Sequence, residues 1–336
     1  MDNFAWATCG AASYVNVAAW TGGATLVIAP KGRYVVTDNI ESVRLSQEER
    51  LQDQGWELRV APWYANNPGI ADLTRGLRLG ADGPYPGATD LSPQLPGLRA
   101  NLTPEEGVRF RHLGRVCAEA LDAAIRAVRP GMSEHQIAGM LAQEVLYRGA
   151  QPTVNLIATD ERVFQFRHPL PTAKRLEAYA MLVLCGRMQG LVCSITRLVH
   201  FGRLPDELRR KADAVARIDA RLIEATRPGR KLSDIFGLAI RAYEAVGFAD
   251  EWRRHHQGGI AGYAPREVIA TPQTEAEVLI GQAYAWNPSI EGTKSEDTIL
   301  VGDDQNEVLT SIPGWPATPM MVNAHAVDRP AILEVA

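Results

Sequence analysis

"AAIRAVRPGMSEHQIAGMLAQEVLYRGA" (residues 123–150) has an echo about a hundred residues further on, "LIEATRPGRKLSDIFGLAIRAYEAVGF" (222–248). Each copy reads as a helix, an Arg-Pro-Gly stop, a Ser-capped helix and a terminal glycine. Proline cannot continue a helix, and glycine takes the left-handed conformation that ends one. Ser133-Glu134-His135-Gln136 is a capping box, in which serine and glutamine satisfy each other's free backbone N–H groups. Strand signals follow both copies: "MLVLCG" (181–186) and "LVCSITRLV" (191–199), then "QAYAWNPS" (282–289) and "DTILVG" (297–302). Arg-Pro-Gly could simply be one helix stop used twice. The strands that follow both copies favour a duplicated α+β domain whose halves are related by a pseudo-two-fold, with a pocket between them.

Upstream, Thr103-Pro104-Glu105-Glu106 combines a capping residue, proline at the first helical position and two acids that complement the helix dipole. A helix is expected from there to about residue 128. The segment 80–97, "GADGPYPGATDLSPQLPG", is rich in Pro, Gly and Asp and lacks periodicity. It places a boundary between a domain of residues 1–97 and one of residues 98–336. In the first domain, "ATLVIA" (24–29) and "RYVVT" (33–37) are β-branched runs around Pro30-Lys31-Gly32, and "WELRVAPW" (56–63) is another strand. Residues 39–55 read as one amphipathic helix capped by Asn39 and ended by Gly55.

Composition excludes several classes. With 46% hydrophobic and 22% charged residues, the 336-residue chain reads as a soluble globular protein. A net charge of −4 gives no electrostatic reason for a nucleic-acid partner. The basic run Arg209-Arg210-Lys211 is flanked by acids and reads as a solvated helix face. Four cysteines show neither a C-x-x-C pair nor the density of a disulfide framework. The first twenty residues lack the pattern of a signal peptide, and no apolar run reaches membrane-spanning length. A cytoplasmic location with no membrane partner is the expectation.

Four stretches carry candidate chemistry: "FRHPLPT" (166–172), "MLVLCGRMQGLVCSITR" (181–197), "HHQGGIAGYAPRE" (255–267) and "AWNPSIEGTKSEDT" (285–298). Their order and the internal duplication resemble the creatinase/aminopeptidase family, which includes methionine aminopeptidase, prolidase, aminopeptidase P and creatinase. The resemblance implies a pita-bread C-terminal domain behind a smaller α/β domain, although the sequence gives no sign of the helix that usually precedes the first strand. It also implies a homodimer and a small-molecule substrate.

Metallopeptidases of that family hold two divalent metals with Asp, Asp, His, Glu and Glu. Carried over by motif, these positions hold Val183, Ser194 (in "SITR"), Gly259 (in "HHQGG"), Asn287 (in "NPS") and Glu296 (in "SEDT"). Only Glu296 keeps a carboxylate. A pocket that retained several acids without metal charge would suffer mutual repulsion, so losing both together is electrostatically coherent. Val and Gly offer no donor, and the expectation is that no metal and no cofactor is held. A rebuilt zinc site from Cys185, Glu296 and a histidine stays open as an alternative.

The resemblance assigns His168 the place of a histidine that faces substrate. In metal-free creatinase the corresponding group transfers the proton, a role that imidazole suits. Glu296, stripped of metals, is the second expected catalytic residue and is expected to seek a cationic substrate group or to have a raised pKa; its other possible partners are Lys294 and Arg197. His255, Asn287, Ser194, Arg266, Gly259 and Cys185 complete the expected substrate-binding set. His256 is expected to point elsewhere, and Arg266 either to bind a substrate carboxylate or to brace Glu267. Gly258, Gly259 and Gly262 either let a ligand approach the backbone or serve a tight turn. The leading function is metal-independent hydrolysis of a C–N bond (amide, cyclic amidine or guanidine), with His168 as general acid/base. Two alternatives remain: a non-catalytic pita-bread binding protein, and an Xaa-Pro-type metallopeptidase with a remodelled site.

Overall fold

The computed structural model describes residues 1–19, 21–323 and 325–336. The chain divides into two compact units, Met1–Arg99 and Ala100–Ala336.

The first unit opens with a short helix, α1 (Asp2–Ala7), ahead of β1 (Ala24–Ala29) and β2 (Gly32–Asp38). A helix therefore does precede the first strand, contrary to expectation; six residues are too few to show a helical period. β1 and β2 form an antiparallel hairpin with Ala29 opposite Gly32. The single helix expected over 39–55 is broken. α2 spans Ser42–Gln47, Arg50 takes a left-handed conformation, and a 3-10 turn covers Leu51–Gln54 before Gly55. The break lets Leu45 and Leu51 both enter the core with Phe4, Val35 and Trp56. β3 (Trp56–Ala61) lies parallel to β2. The irregular segment that follows holds α3 (Gly69–Thr74), the short parallel pair β4 (Leu79–Ala81) and β5 (Ala88–Asp90), and α4 (Leu95–Arg99).

The second unit shows the duplication directly. α5 (Pro104–Ala127) starts with a capping box of Thr103 and Glu106, and α6 (Glu134–Tyr147) with one of Ser133 and Gln136. Then come β6 (Gln151–Thr159), the short α7 (Glu161–Gln165), β7 (Tyr179–Met188) and β8 (Leu191–Phe201). The second copy runs through α8 (Asp206–Ala225), α9 (Leu232–Ala245), β9 (Gly258–Ala261), β10 (Val268–Ile269) and β11 (Ala283–Trp286). A small hairpin, β12 (Ser289–Ile290) and β13 (Thr293–Lys294), leads into β14 (Asp297–Leu300) and β15 (Glu307–Val308). A ribbon of β16 (Ala317–Val322) and β17 (His325–Pro330) precedes the last strand, β18 (Leu333–Val335).

The two halves repeat at the level of single hydrogen bonds. Gly131 N donates to Leu176 O and Leu176 N to Met132 O; likewise Gly229 N donates to Val278 O and Val278 N to Arg230 O. The isolated bridges Ser133–Arg175 and Lys231–Glu277 extend the match. This pairs Ser133 with Lys231 and corrects the expected Ser cap of the second copy: Lys231 is the capping position, and Ser233 lies inside α9. β18-β8-β7-β6 form one sheet and β10-β9-β11-β14-β15 the other. They are joined where Thr196 of β8 bridges Glu296, its N–H donating to Glu296 O at 3.1 Å.

Glu134, at the start of α6, locks the first half. Its carboxylate is fully buried. It accepts from Thr159 N at 2.8 Å, Thr172 N at 2.9 Å and Thr172 Oγ1 at 2.7 Å, and pairs with Arg162. Burial alone would raise its pKa; Arg162 and the threonines outweigh that and lower it. A lowered folded-state pKa means that the unfolded chain binds the proton more readily. The contribution is therefore complete above the unfolded value of about 4.3 and is lost as pH falls through the lower folded value. Glu134→Gln should cost about 1–3 kcal/mol at pH 7, and the gap from the parent should close in acid. Urea melts at pH 7 and pH 3 check this; a gap that does not change with pH counts against it.

Candidate active site

Two groups of side chains meet at the junction of the sheets. The first is built around Glu296. Residues 294 and 296 are two apart in extended chain, so both side chains leave on one face. Glu296 Oε2 lies 2.7 Å from Lys294 Nζ and accepts from Thr196 Oγ1 at 2.6 Å. Its other oxygen, Oε1, accepts from Arg266 at 3.1 Å. The second Arg266 amino group donates to Ser194 Oγ at 3.1 Å, and Ser194 Oγ lies 3.3 Å from Cys185 Sγ. The guanidinium thus spans two of the positions to which the family resemblance gives metal ligands.

This corrects the expected state of Glu296. It is not an unpaired acid waiting for a substrate cation. Burial pushes its pKa upward, but Lys294 and Arg266 outweigh that and hold it at about 2. Arg197, the other partner considered, belongs elsewhere: its guanidinium binds Asp297 at 2.8 Å. Arg266 likewise does not serve Glu267 in the way expected. Glu267 Oε1 instead accepts from Tyr263 N at 2.8 Å and Ala264 N at 3.1 Å, closing the turn. Ser194 is fully buried; its own backbone N–H donates to Thr298 Oγ1 at 2.9 Å. Cys185 is buried, and desolvation raises its thiol to about 11, so it stays protonated at neutral pH. Ser194 thus accepts from Arg266, and Cys185 meets Ser194 rather than the guanidinium.

The second group is a trio of imidazoles. His168, exposed after α7, brings Nε2 to 3.0 Å from Nε2 of His255. His256 joins them, its ring centroid 4.5 Å from that of His255 and 6.0 Å from that of His168. The expectation that His256 points away is wrong. His255 ends the 3-10 turn Glu251–Arg254, and the chain after it is not yet in a strand, so neighbouring side chains need not alternate. Desolvation, then Lys294, pushes His255 down to about 2; desolvation, then Arg266, pushes His256 to about 4. His168 is lowered by the same burial and by Lys294, against the opposing pull of Glu296. His168 and Glu296 therefore act on one another across the same site, and the rings are neutral at pH 7.

Gly259 does not offer its backbone to a ligand. It sits in β9 between β10 and β11 with φ +154°, and a Cβ there would lie 2.0 Å from Val268 O and 2.9 Å from Ala270 N. Gly258 is equally confined, its Cβ position 2.1 Å from Ala285 O. Both glycines serve close strand packing. Asn287 is buried, anchored by its N–H to Gln257 O at 2.9 Å, while its side-chain Oδ1 has no partner.

Lys294 was weighed only as a possible partner of Glu296, which it is, and His256 was left outside the site. The Lys-x-Glu spacing of 294 and 296 was the available signal. On the other side of the sheet, Asp297 points away from Glu296 and joins Arg197, Arg329 and Asp219 in a buried network. A cavity of about 860 Å³ lies against that network, walled by Trp315, Arg329 and Asp297 among others. Of its charged groups, Arg197, Arg329 and Asp297 are already paired with one another.

The fold is similar to that of solved peptidases. An Xaa-Pro dipeptidase from Bacillus anthracis matches with a TM-score of 0.77 at 19% identity, over 94% of this chain and 90% of that one. A prolidase from Pyrococcus horikoshii OT3 matches with a TM-score of 0.74 at 18% identity, over 85% and 87%. Among curated sequences, an uncharacterized peptidase of Staphylococcus aureus (strain MW2) is 23% identical over 233 residues, 66% of this chain. The aligned part spans 65% of that relative's length. Among the described residues, no helix is long and apolar enough to cross a membrane. The family model of metallopeptidase family M24 matches residues 108–303, more than half of the sequence and both halves of the duplication, and the chain belongs to that family.

Proposed function

We propose that this chain is a hydrolase that cleaves a C–N bond in a small polar molecule without a catalytic metal. The observation that carries the reading is the Arg266–Glu296–Lys294 assembly beside the His168–His255 pair. At the positions that the resemblance gives to metal ligands, Val183 and Gly259 have no donor atom, Ser194 and Asn287 are neutral, and Glu296 is bound by two side-chain cations. Such a donor set does not fit two divalent ions, and their place as fixed positive charge is taken by guanidinium and ammonium.

The charge count sets the substrate. Two cations against one carboxylate leave one positive charge in excess, which disfavours the guanidinium or amidinium anticipated from the sequence and favours a neutral or anionic amide. His168 takes a proton from water as the water oxygen bonds to the carbonyl carbon. The proton is then shared with His255 across the 3.0 Å contact, since a charged ring beside a neutral one makes a strong hydrogen bond. The carbonyl oxygen gains negative charge, which the excess positive charge of Lys294 and Arg266 stabilises. As the C–N bond breaks, its electrons stay with nitrogen, which recovers the proton from His168. The products are a carboxylic acid and an amine.

The test is turnover of an amide and dipeptide panel by chelator-treated, metal-free protein. His168→Ala should lower kcat by about 10²–10⁴-fold, with Lys294→Met also impaired. A second reading, an Xaa-Pro-type metallopeptidase, is favoured by the fold likeness to the dipeptidase and the prolidase. Hydrolysis lost on chelation and restored by divalent metal would establish that reading and overturn the first.

A further inference from the structure

The imidazole trio does more than the proton transfer asks of it, because His256 has no part in that step. We infer that His168, His255 and His256 form a binding site for one zinc-class divalent cation, at a place distinct from the positions that correspond to the family's metal ligands. One ring nitrogen from each residue lies within 4.8 Å of those of the other two. Among the described residues this is the group with such an arrangement of potential ligands. The Nε2–Nε2 separation of 3.0 Å is close to the edge of about 3.3 Å between two nitrogens bound tetrahedrally at 2.0–2.1 Å from zinc.

Two further observations point to a missing occupant. Nδ1 of His256, on the ring that packs beside His255 and His168, is buried without a hydrogen-bond partner. Burial and the nearby charges of Lys294 and Arg266 keep the resting rings neutral, and neutral imidazole is the form that binds metal. Nitrogen donors select Zn²⁺, Ni²⁺ or Cu²⁺ over Mg²⁺ and Ca²⁺, which require oxygen. The excess positive charge from Lys294 and Arg266 opposes a dication and calls for an anion in the fourth position, either hydroxide or a ligand carboxylate. An ion held there occupies the lone pairs that His168 and His255 use for proton transfer, so loading the site suppresses turnover rather than supporting it.

The experiment is zinc binding by untagged, chelator-stripped protein, followed with a competing colorimetric chelator and with the visible spectrum of the Co²⁺-loaded form. One equivalent per chain is expected, with tetrahedral Co²⁺ bands and no competition from Mg²⁺ or Ca²⁺. His168→Ala and His256→Gln should each weaken binding by about 100-fold or more, with unchanged circular dichroism, and Cys9→Ser should not. His168 is exposed, so its loss leaves the fold intact. Absence of stoichiometric zinc, or binding unaffected by both histidine variants, overturns the site. Binding needs no substrate, so its failure leaves the hydrolase reading to the turnover assay alone.

Discussion

Glu296→Ala is expected to destabilise the second unit by about 3–5 kcal/mol, with a fall in melting temperature of about 10 °C. The cause is what remains behind. Lys294 and Arg266 have side chains 5% and 8% exposed, and each would keep a buried charge with no carboxylate to meet it. Thr196 would lose its acceptor at the bridge joining the sheets. If the cost comes from stranded charge, removing the charges together should recover most of it. A triple variant, Glu296→Leu with Lys294→Met and Arg266→Met, should therefore melt near the parent while remaining inactive. Calorimetry on the three proteins decides the matter. A single variant that melts within a degree or two of the parent would show that the ion pairs contribute little.

Gly259→His carries the other large effect. It restores the residue that the family resemblance expects among metal ligands, yet it should yield a badly folded protein and no additional bound ion. A Cβ at this position would stand 2.0 Å from Val268 O, and φ +154° is a backbone state that L side chains rarely adopt. The clash is with main-chain atoms in and just after β10 and the unfavourable angle is that of residue 259 itself, so a rotamer change relieves neither. The loss should be at least about 3 kcal/mol, and Gly259→Ala should lose a comparable amount, since the first side-chain carbon already collides. Denaturant titration and elemental analysis check this. A stable Gly259→His protein with two bound metals would overturn it.

Much of the fold was legible because local chemistry marks element ends. Thr103-Pro104-Glu105-Glu106 and Ser133 through Gln136 are capping boxes in the structure as in the sequence. The duplication was readable from Arg-Pro-Gly, though the serine alignment slipped by two residues, because the second copy caps its helix with Lys231 and backbone bonds instead. α1 was invisible for want of length, and Arg50 broke the second helix at a position where no Gly or Pro announced it.

The site was half legible. Motif order located the residues, but not which of them answer one another. Pairing of Glu296 with Lys294 was one of the alternatives and holds, but sequence spacing cannot show that Arg266, thirty positions away, turns into the same space. His256 was expected to point elsewhere, but at the end of a 3-10 turn adjacent side chains need not diverge. Neutralisation by side chains rather than by ions is a three-dimensional property, and only contacts reveal it.

The strand that begins at Asp297 has a further consequence. Neighbours 296 and 297 point to opposite faces, and each is tied into its own set of fixed charges. Deleting one residue from the short hairpin before them would exchange their environments, sending the aspartate toward the imidazoles and the glutamate into the arginine-lined wall. Length in that hairpin is thus under as tight control as the identity of Lys294 within it.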